Sequence, residues 1–488
     1  MASEWPYNFG LLPGVVAYNA GGGGGLLNPL TTMPQTGSVI YDMNPDIEIG
    51  TATNGAEVLS VRDSGPNNIT ATGTAGSGPT FVTGVANGHA ALRIAAPTKS
   101  LTLGRPAALA TPMTNANAWS IMIVYRNPTN VDTLYSAMFG DVLNKVGGAG
   151  FSLGATVSGP KEDSNLAPNR SFTVGDPATN VHTLIYSGDG GFDTTSTVGR
   201  LFHDGTMFWG TYPIKIMPNS DALRIGGVVD STGLTSVGRG FKGDILRIII
   251  WSTPLSAPEA WQADAYARTY YGKPLATAGM SFFTVFDGDS QTMGTGAGSN
   301  AFSNANDVPF GDHSMPWEVA KAMGWQFGGF GNVGKPSARI SATNNNSLIL
   351  SAARDVDQWK AVMNGGPILL IWGEFYNEPG TVGVTLANAS RTYATARKVA
   401  DPTLTIRTWT SLSSFSRDLP YRDDFNNSLV STPGDCGTII PVHTDTSIGI
   451  NGAAGPTATP TQYFPDGKHL NSVGTPIHAS WITPYVHL

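Results

Sequence analysis

A chain of 488 residues is long for one domain; at roughly 100–200 residues each, it divides into two or three. Charged residues are only 13% of it, about half the usual share near 25%, which excludes a heptad coiled coil. With 28 basic against 35 acidic side chains, net −7, the surface is not built for nucleic acid or an anionic membrane. The 60 Gly and 33 Pro point to many loops, and 20 Phe, 15 Tyr and 11 Trp supply compact cores. The single cysteine, Cys436, excludes an internal disulfide and any multi-cysteine metal site. Met1-Ala2-Ser3-Glu4-Trp5-Pro6-Tyr7 lacks the basic and apolar regions of a secretory signal, so folding in the cytoplasm is expected. Apolar runs such as Ile248–Trp251 and Ile368–Trp372 fall far short of the ~20 residues that span a bilayer, so no membrane insertion is expected.

Residues 1–50 are rich in Pro, Gly and Asn and contain the run Gly21–Gly25, which suits neither helix nor strand. Trp5, Tyr7, Phe9, Leu11, Leu12, Val15, Val16 and Tyr18 are many apolar side chains for a free tail. The segment is expected to be an arm that docks on a partner, or one that folds back on its own chain.

Residues 51–275 alternate short β-branched and aromatic runs with turn signals. Strands are expected at Ser120–Tyr125, Val181–Tyr186, Arg200–His203, Ala222–Ile225 and Asp244–Trp251, with Asp204-Gly205 as a hairpin turn. A helix should close this region. Ser256 and Glu259 form a capping box, Trp261, Ala265 and Tyr266 give an apolar face, and Gly272 and Pro274 end it. Val61-Arg62-Asp63-Ser64-Gly65-Pro66-Asn67-Asn68, Pro79–Val82, Asn87–Arg93 and Phe241–Ile245 resemble segments of concanavalin A-like (laminin G-like) jelly-roll domains. The resemblance implies an all-β sandwich that binds sugar or acts as a spacer. Asp63, Asn67 and Asn68 read as a turn rather than a calcium site.

From residue 279 strands and helices alternate: Phe282–Phe286, Ser314–Met323 with Gly324 as cap, Gly366–Trp372, Ala387–Ala400 and Thr405–Thr410. This is the pattern of an α/β domain, residues 279–488. Within it, Thr284-Val285-Phe286-Asp287-Gly288-Asp289-Ser290-Gln291 places a serine just past a buried strand, at the sheet edge where α/β sites form. Near the other end, Phe464-Pro465-Asp466-Gly467-Lys468-His469-Leu470-Asn471 sets a carboxylate and an imidazole on one turn. A serine nucleophile needs such a base and such an orienting carboxylate.

Strand, Gly-Asp-Ser, then Asp-Gly-x-His-x-Asn, in that order, resemble the SGNH (GDSL-type) hydrolases over about residues 279–488. The resemblance implies a three-layer α/β fold after the sandwich, a catalytic set of Ser290, His469 and Asp466, and no cofactor or metal. It also implies an oxyanion site from the N–H groups of Ser290 and Gly334 and the side chain of Asn377. The family's third block normally reads Gly-x-Asn; after Trp372-Gly373-Glu374 the asparagine here comes two residues late. Glu374 and Glu378 flank that block as solvated or hydroxyl-binding carboxylates. Among other histidines, His313 reads as a loop residue, and His443 near Asp445 lacks a third metal ligand.

The implied reaction is ester hydrolysis through an acyl-enzyme. The sandwich beside it favours O-acetyl groups on a bacterial surface polysaccharide as substrate. Arm, lectin-like module and hydrolase in this order resemble a phage tail fibre or spike. That resemblance implies a virion protein, joined to other virion proteins through residues 1–50 and assembled as a homo-oligomer, a trimer. The alternatives are a secreted bacterial carbohydrate esterase and a non-catalytic receptor-binding virion protein.

Overall fold

The computed structural model describes residues 25–47, 49, 53–96, 98–114, 118–126, 136–140, 151–156, 159–164, 167–171, 180–188, 199–211, 222–227, 241–293, 314–334, 339–340, 342, 347–374, 383–413, 421–450, 463–464 and 469–488. The first unit is a sandwich of two antiparallel sheets. One sheet runs in spatial order Thr206–Thr211, Gly199–His203, His182–Ser187, Ser120–Arg126, Gly243–Trp251, His89–Ile94 and Thr80–Ala86. The other runs from Ala167–Ser171 at one edge, through Ser136–Gly140, Leu223–Ile225 and Leu101–Gly104, to Ser60–Arg62 at the opposite edge. Ile121, Ile123, Ile248 and Ile250 of the first meet Leu101, Leu103, Phe139 and Ile225 of the second in one core. At the expected hairpin, Asp204 and Gly205 take φ of 46° and 84°, the left-handed pair that a tight two-residue turn requires.

Gly243–Trp251 carries the architecture. All nine of its residues are buried. Ile248 and Ile250 face the sandwich core, while Leu246, Ile249 and Trp251 face a second core shared with the helix Ala257–Tyr270. A register shift between Ile245 and Arg247 resets the alternation of faces along the strand. Burial on both faces explains why this sequence reads as a continuous apolar run and not as in–out alternation.

The same strand corrects the expected arm. On one edge of Gly243–Trp251, His89–Ile94 covers Gly243–Ile245 alone, which leaves the backbone of the strand's second half needing a partner there. Val39–Met43 supplies it, with Val39 opposite Trp251 and Met43 opposite Ile248. Upstream, Trp251 Nε1 donates to Pro34 O, Leu30 N–H to Val362 O and Leu27 N–H to Met280 O. From residue 25 the segment therefore straps the chain's own two units and is not an arm up to residue 50. Trp5 to Tyr18, and four of the five glycines, lie outside the described residues.

The second unit is a five-stranded sheet, all parallel. Its strands are β1 (Phe283–Gly288), β2 (Phe330–Asn332), β3 (Ile368–Gly373), β4 (Thr405–Trp409) and β5 (Thr438–Ile440), in the spatial order β2-β1-β3-β4-β5. Phe286, Leu369 and Ile371 pack with Met315–Met323 and Gly474–Ile482 on one face. Phe283, Val285, Leu370 and Trp372 pack with Leu348–Asp355, Gly383–Ala400 and Tyr421–Ser431 on the other. The helix Met315–Met323 starts at Ser314, whose hydroxyl accepts from Trp317 N–H, and ends at Gly324 with φ 72°. Among the described residues no helix is long and apolar enough to cross a membrane.

The helix Ala257–Tyr270 lies between the units. Its capping box forms as the sequence predicts, with Glu259 N–H on Ser256 Oγ and Ser256 N–H on Glu259 Oε2. Trp261 meets Phe283 and Trp359 edge-on and donates Nε1 to Gly328 O at 2.7 Å. Thr206 Oγ1 bridges the boundary too, donating to Phe330 O and accepting from Gly328 N–H. Arg200 of the sandwich pairs with Asp355 at 2.7 Å, both largely buried. Removing one partner of a buried pair strands the other's charge, at a cost of about 3–5 kcal/mol. Arg200→Leu should lower stability by that order in urea unfolding, and both units should unfold in one shared transition. Two separate transitions in the native chain would show that the boundary does not couple them.

Candidate active site

The parallel sheet has its switch point between β1 and β3, because the connections after these strands leave in opposite directions. Ligand sites of such sheets form in the crevice beyond the carboxyl ends at that point. Ser290 lies there, two residues beyond the end of β1 and at the start of the short helix Ser290–Met293.

Gly288 makes the sharp turn. Its φ is +147°, and a Cβ added there would sit 2.3 Å from Thr292 Oγ1 and 2.5 Å from Gly373 O. Thr292 Oγ1 donates to Asp287 O at 3.2 Å, closing the turn over the strand end. Asp289 Oδ1 accepts from Gln291 N–H at 2.8 Å, holding the first residues of the helix.

The structure brings Ser290 and His469 together across 179 residues, with Ser290 Oγ 2.9 Å from His469 Nε2. That is direct hydrogen-bond reach between a hydroxyl and a base. Phe464 and Leu470 are buried on either side of the loop that carries His469. Asn471 Oδ1 accepts from Val473 and Gly474 N–H at 3.0 Å each, fixing that loop to the start of Gly474–Ile482. Asp466 and Asn377 lie outside the described residues, as do His313 and Glu378.

Gly334 lies just beyond β2, but its N–H donates to Asn332 Oδ1 at 3.1 Å. An oxyanion would have to displace that bond to use it. Glu374, expected among solvated or substrate-facing carboxylates, is buried, 4% exposed. It lines a narrow cleft beside Ser290 together with Asp289, Gly373, Trp409, Ser411 and Ser413. His443 is engaged with Thr410 Oγ1, and Asp445 with the turn at Ser447 and with Trp481. Asp63 likewise braces a turn, accepting from Asp42 and Gly65 N–H, while Asn67 donates to Ile40 O.

Two buried acids at the turn hold protons unusually tightly. Burial pushes Asp289 up to about 6, against its bond from Gln291 N–H and the nearby His469. Burial pushes Asp287 up to about 7, against its bonds from Tyr393 and Gly288. Sequence patterning did not single out Asp287, Tyr393 or Asn332. An aspartate inside a buried strand is a signal that could have found the first of them.

No protein-family model and no curated protein sequence matches the chain. Solved structures similar to part of it include the leech intramolecular trans-sialidase, 18% identical over 36% of this chain and 27% of that one, TM-score 0.28. The Ruminococcus gnavus IT-sialidase CBM40 bound to α2,3-sialyllactose is 16% identical over 35% and 94%, TM-score 0.27. Domain 4 of an extracellular GH43 arabinanase from Geobacillus stearothermophilus, in complex with arabinotriose, is 12% identical over 47% and 98%, TM-score 0.29. Likeness of this size assigns neither fold nor ligand, and the sandwich stands on its own strand pairing.

Gly288→Ala tests the turn. A side chain at this φ, in contact with Gly373 O, must move the backbone that presents Ser290. Thermal unfolding followed by circular dichroism should shift down. An unchanged melting temperature would show that the turn tolerates a side chain and that the position of Ser290 does not depend on it.

Proposed function

We propose that the chain is a serine esterase of the SGNH type that removes O-acetyl groups from a bacterial surface polysaccharide. The observation that carries this reading is the 2.9 Å contact between Ser290 Oγ and His469 Nε2 at the switch point of a parallel sheet. In the proposed reaction His469 Nε2 takes the Ser290 proton as Oγ bonds to the acetyl carbon. The carbonyl electron pair moves to oxygen. As it returns, the bond between the acetyl carbon and the sugar oxygen breaks, the sugar oxygen takes the proton from His469, and Ser290 is left acetylated. Water then attacks with His469 again as base, releasing acetate and restoring Ser290. Asp466 is assigned the orientation of the imidazole. The N–H of Ser290, the side chain of Asn377, and Gly334 once it leaves Asn332 are assigned to the oxyanion. No metal or organic cofactor enters these steps.

The sandwich is the proposed means of holding a polymer near the site, raising its effective concentration there. The setting proposed is a phage tail fibre or spike, a homotrimer attached through residues upstream of the strap. A secreted bacterial carbohydrate esterase is the alternative setting for the same chemistry. One observation favours the non-catalytic, receptor-binding reading: the Gly334 N–H already bonded to Asn332.

Acetate release from O-acetylated surface polysaccharide separates these readings. The native chain should release acetate, and Ser290→Ala should reduce release by at least about 10³-fold while leaving the circular dichroism spectrum unchanged. No release from any acetylated polysaccharide or small acetyl ester would favour the non-catalytic reading.

A further inference from the structure

Beneath the turn that presents Ser290 lies a buried polar chain that the proposed reaction does not use. Asp287 is the fifth residue of β1, 2% exposed, and takes part in the face that packs on Gly383–Ala400. Its Oδ1 accepts from the N–H of Gly288 at 2.8 Å, its Oδ2 accepts from the Tyr393 hydroxyl, and its main-chain oxygen accepts from Thr292 Oγ1. Tyr393 is itself fully buried, its ring 4.3 Å from that of Trp372 on β3. One residue thus ties both sides of the Gly288 turn to the helix packed behind it. We propose that Asp287 is a positioning residue for Ser290, and that its ionised carboxylate, clamped between Gly288 N–H and Tyr393 O–H, holds the turn in the reactive geometry. The proposal rests on the esterase reading.

The charged groups around it define how the clamp titrates. Tyr393 and Gly288 donate to the carboxylate and favour its charge. Arg397, on the same helix as Tyr393, also favours it; the guanidinium lies 5.2 Å over the Tyr393 ring and pairs with Asp357 at 2.9 Å. Asp355, from Leu348–Asp355, opposes it. Burial outweighs these and lifts Asp287 to about 7. Below that pH one carboxyl oxygen carries a proton, and the two bonds lose their charge-assisted strength. Above it both oxygens accept and the clamp tightens. Activity therefore gains a component that rises through about pH 7.

Asp287→Asn copies the protonated state at every pH. Asn Oδ1 still accepts from Gly288, and Nδ2 donates to the Tyr393 oxygen, so the fold is retained. With 4-nitrophenyl acetate as probe, kcat at pH 8 should fall by about tenfold with KM nearly unchanged, because Asp287 touches no substrate. The component near pH 7 should vanish from the profile. Tyr393→Phe removes a donor that favours the charge, so its profile should move to higher pH. A profile and kcat for Asp287→Asn that superimpose on the native ones overturn the proposal and leave the esterase reading standing. So does a lower kcat with an unchanged pH profile in both variants, which marks a purely structural residue. A native chain that neither hydrolyses the probe nor reacts with a fluorophosphonate overturns the esterase reading, and the positioning role with it.

Discussion

The burial of one helix by two units is the constraint on which the rest of the molecule depends. Ten of the fourteen residues of Ala257–Tyr270 are buried, with apolar and polar side chains on every side. Only a narrow stripe of Glu259, Tyr266, Thr269 and Tyr270 keeps some exposure, so the helix needs a partner on either side of it. The sandwich provides one through Leu246, Ile249 and Trp251, and the second unit provides the other through Phe283 of β1 and Trp359 of the short helix Trp359–Val362. The two units therefore share a core. The strap from Leu27 to Met43 reinforces the join with backbone bonds to both. A module docked this way is a fixed extension of the candidate site and not a tethered neighbour.

The other end of β1 is organised by close approach and not by bulk. Gly288 and Gly373 are paired across β1 and β3. A Cβ on the first would strike Gly373 O, and one on the second would lie 2.4 Å from the indole of Trp409. This closeness lets the strand ends, Ser290 and the Asp289–Glu374 cleft converge in a small, buried region. Burial there raises the acids and strengthens each hydrogen bond that survives. Burial likewise pushes His478, whose ring meets Trp409 edge-on, down to about 3.

Much of this was legible in the sequence because local signals and tertiary packing agree. The capping box at Ser256, the Gly324 cap, the Asp204-Gly205 turn, and strands β1, β3 and β4 all follow from short-range chemistry. Ser290 and His469 were legible as a pair only through the order of two motifs, since 179 residues separate them. What escaped was set by long-range pairing. Nothing in residues 25–47 announces that the half-open edge of Gly243–Trp251 awaits a strand. Glu374 reads as a loop carboxylate, and only the convergence of three strand ends buries it. Asn332 looks like a turn residue, yet its side chain takes the N–H of Gly334. The helix Ala257–Tyr270 shows one apolar face in sequence, and the second burial surface comes from a unit that follows it in the chain.

The central claim is that Ser290 is a nucleophile activated by His469. Intact-mass and peptide mass spectrometry after exposure to a fluorophosphonate tests it most directly, because the readout is a bond to a named oxygen. The account predicts a single adduct on Ser290, and its loss in His469→Ala while the folded state is kept. No adduct, an adduct on another residue, or equal labelling of Ser290 in His469→Ala would contradict it.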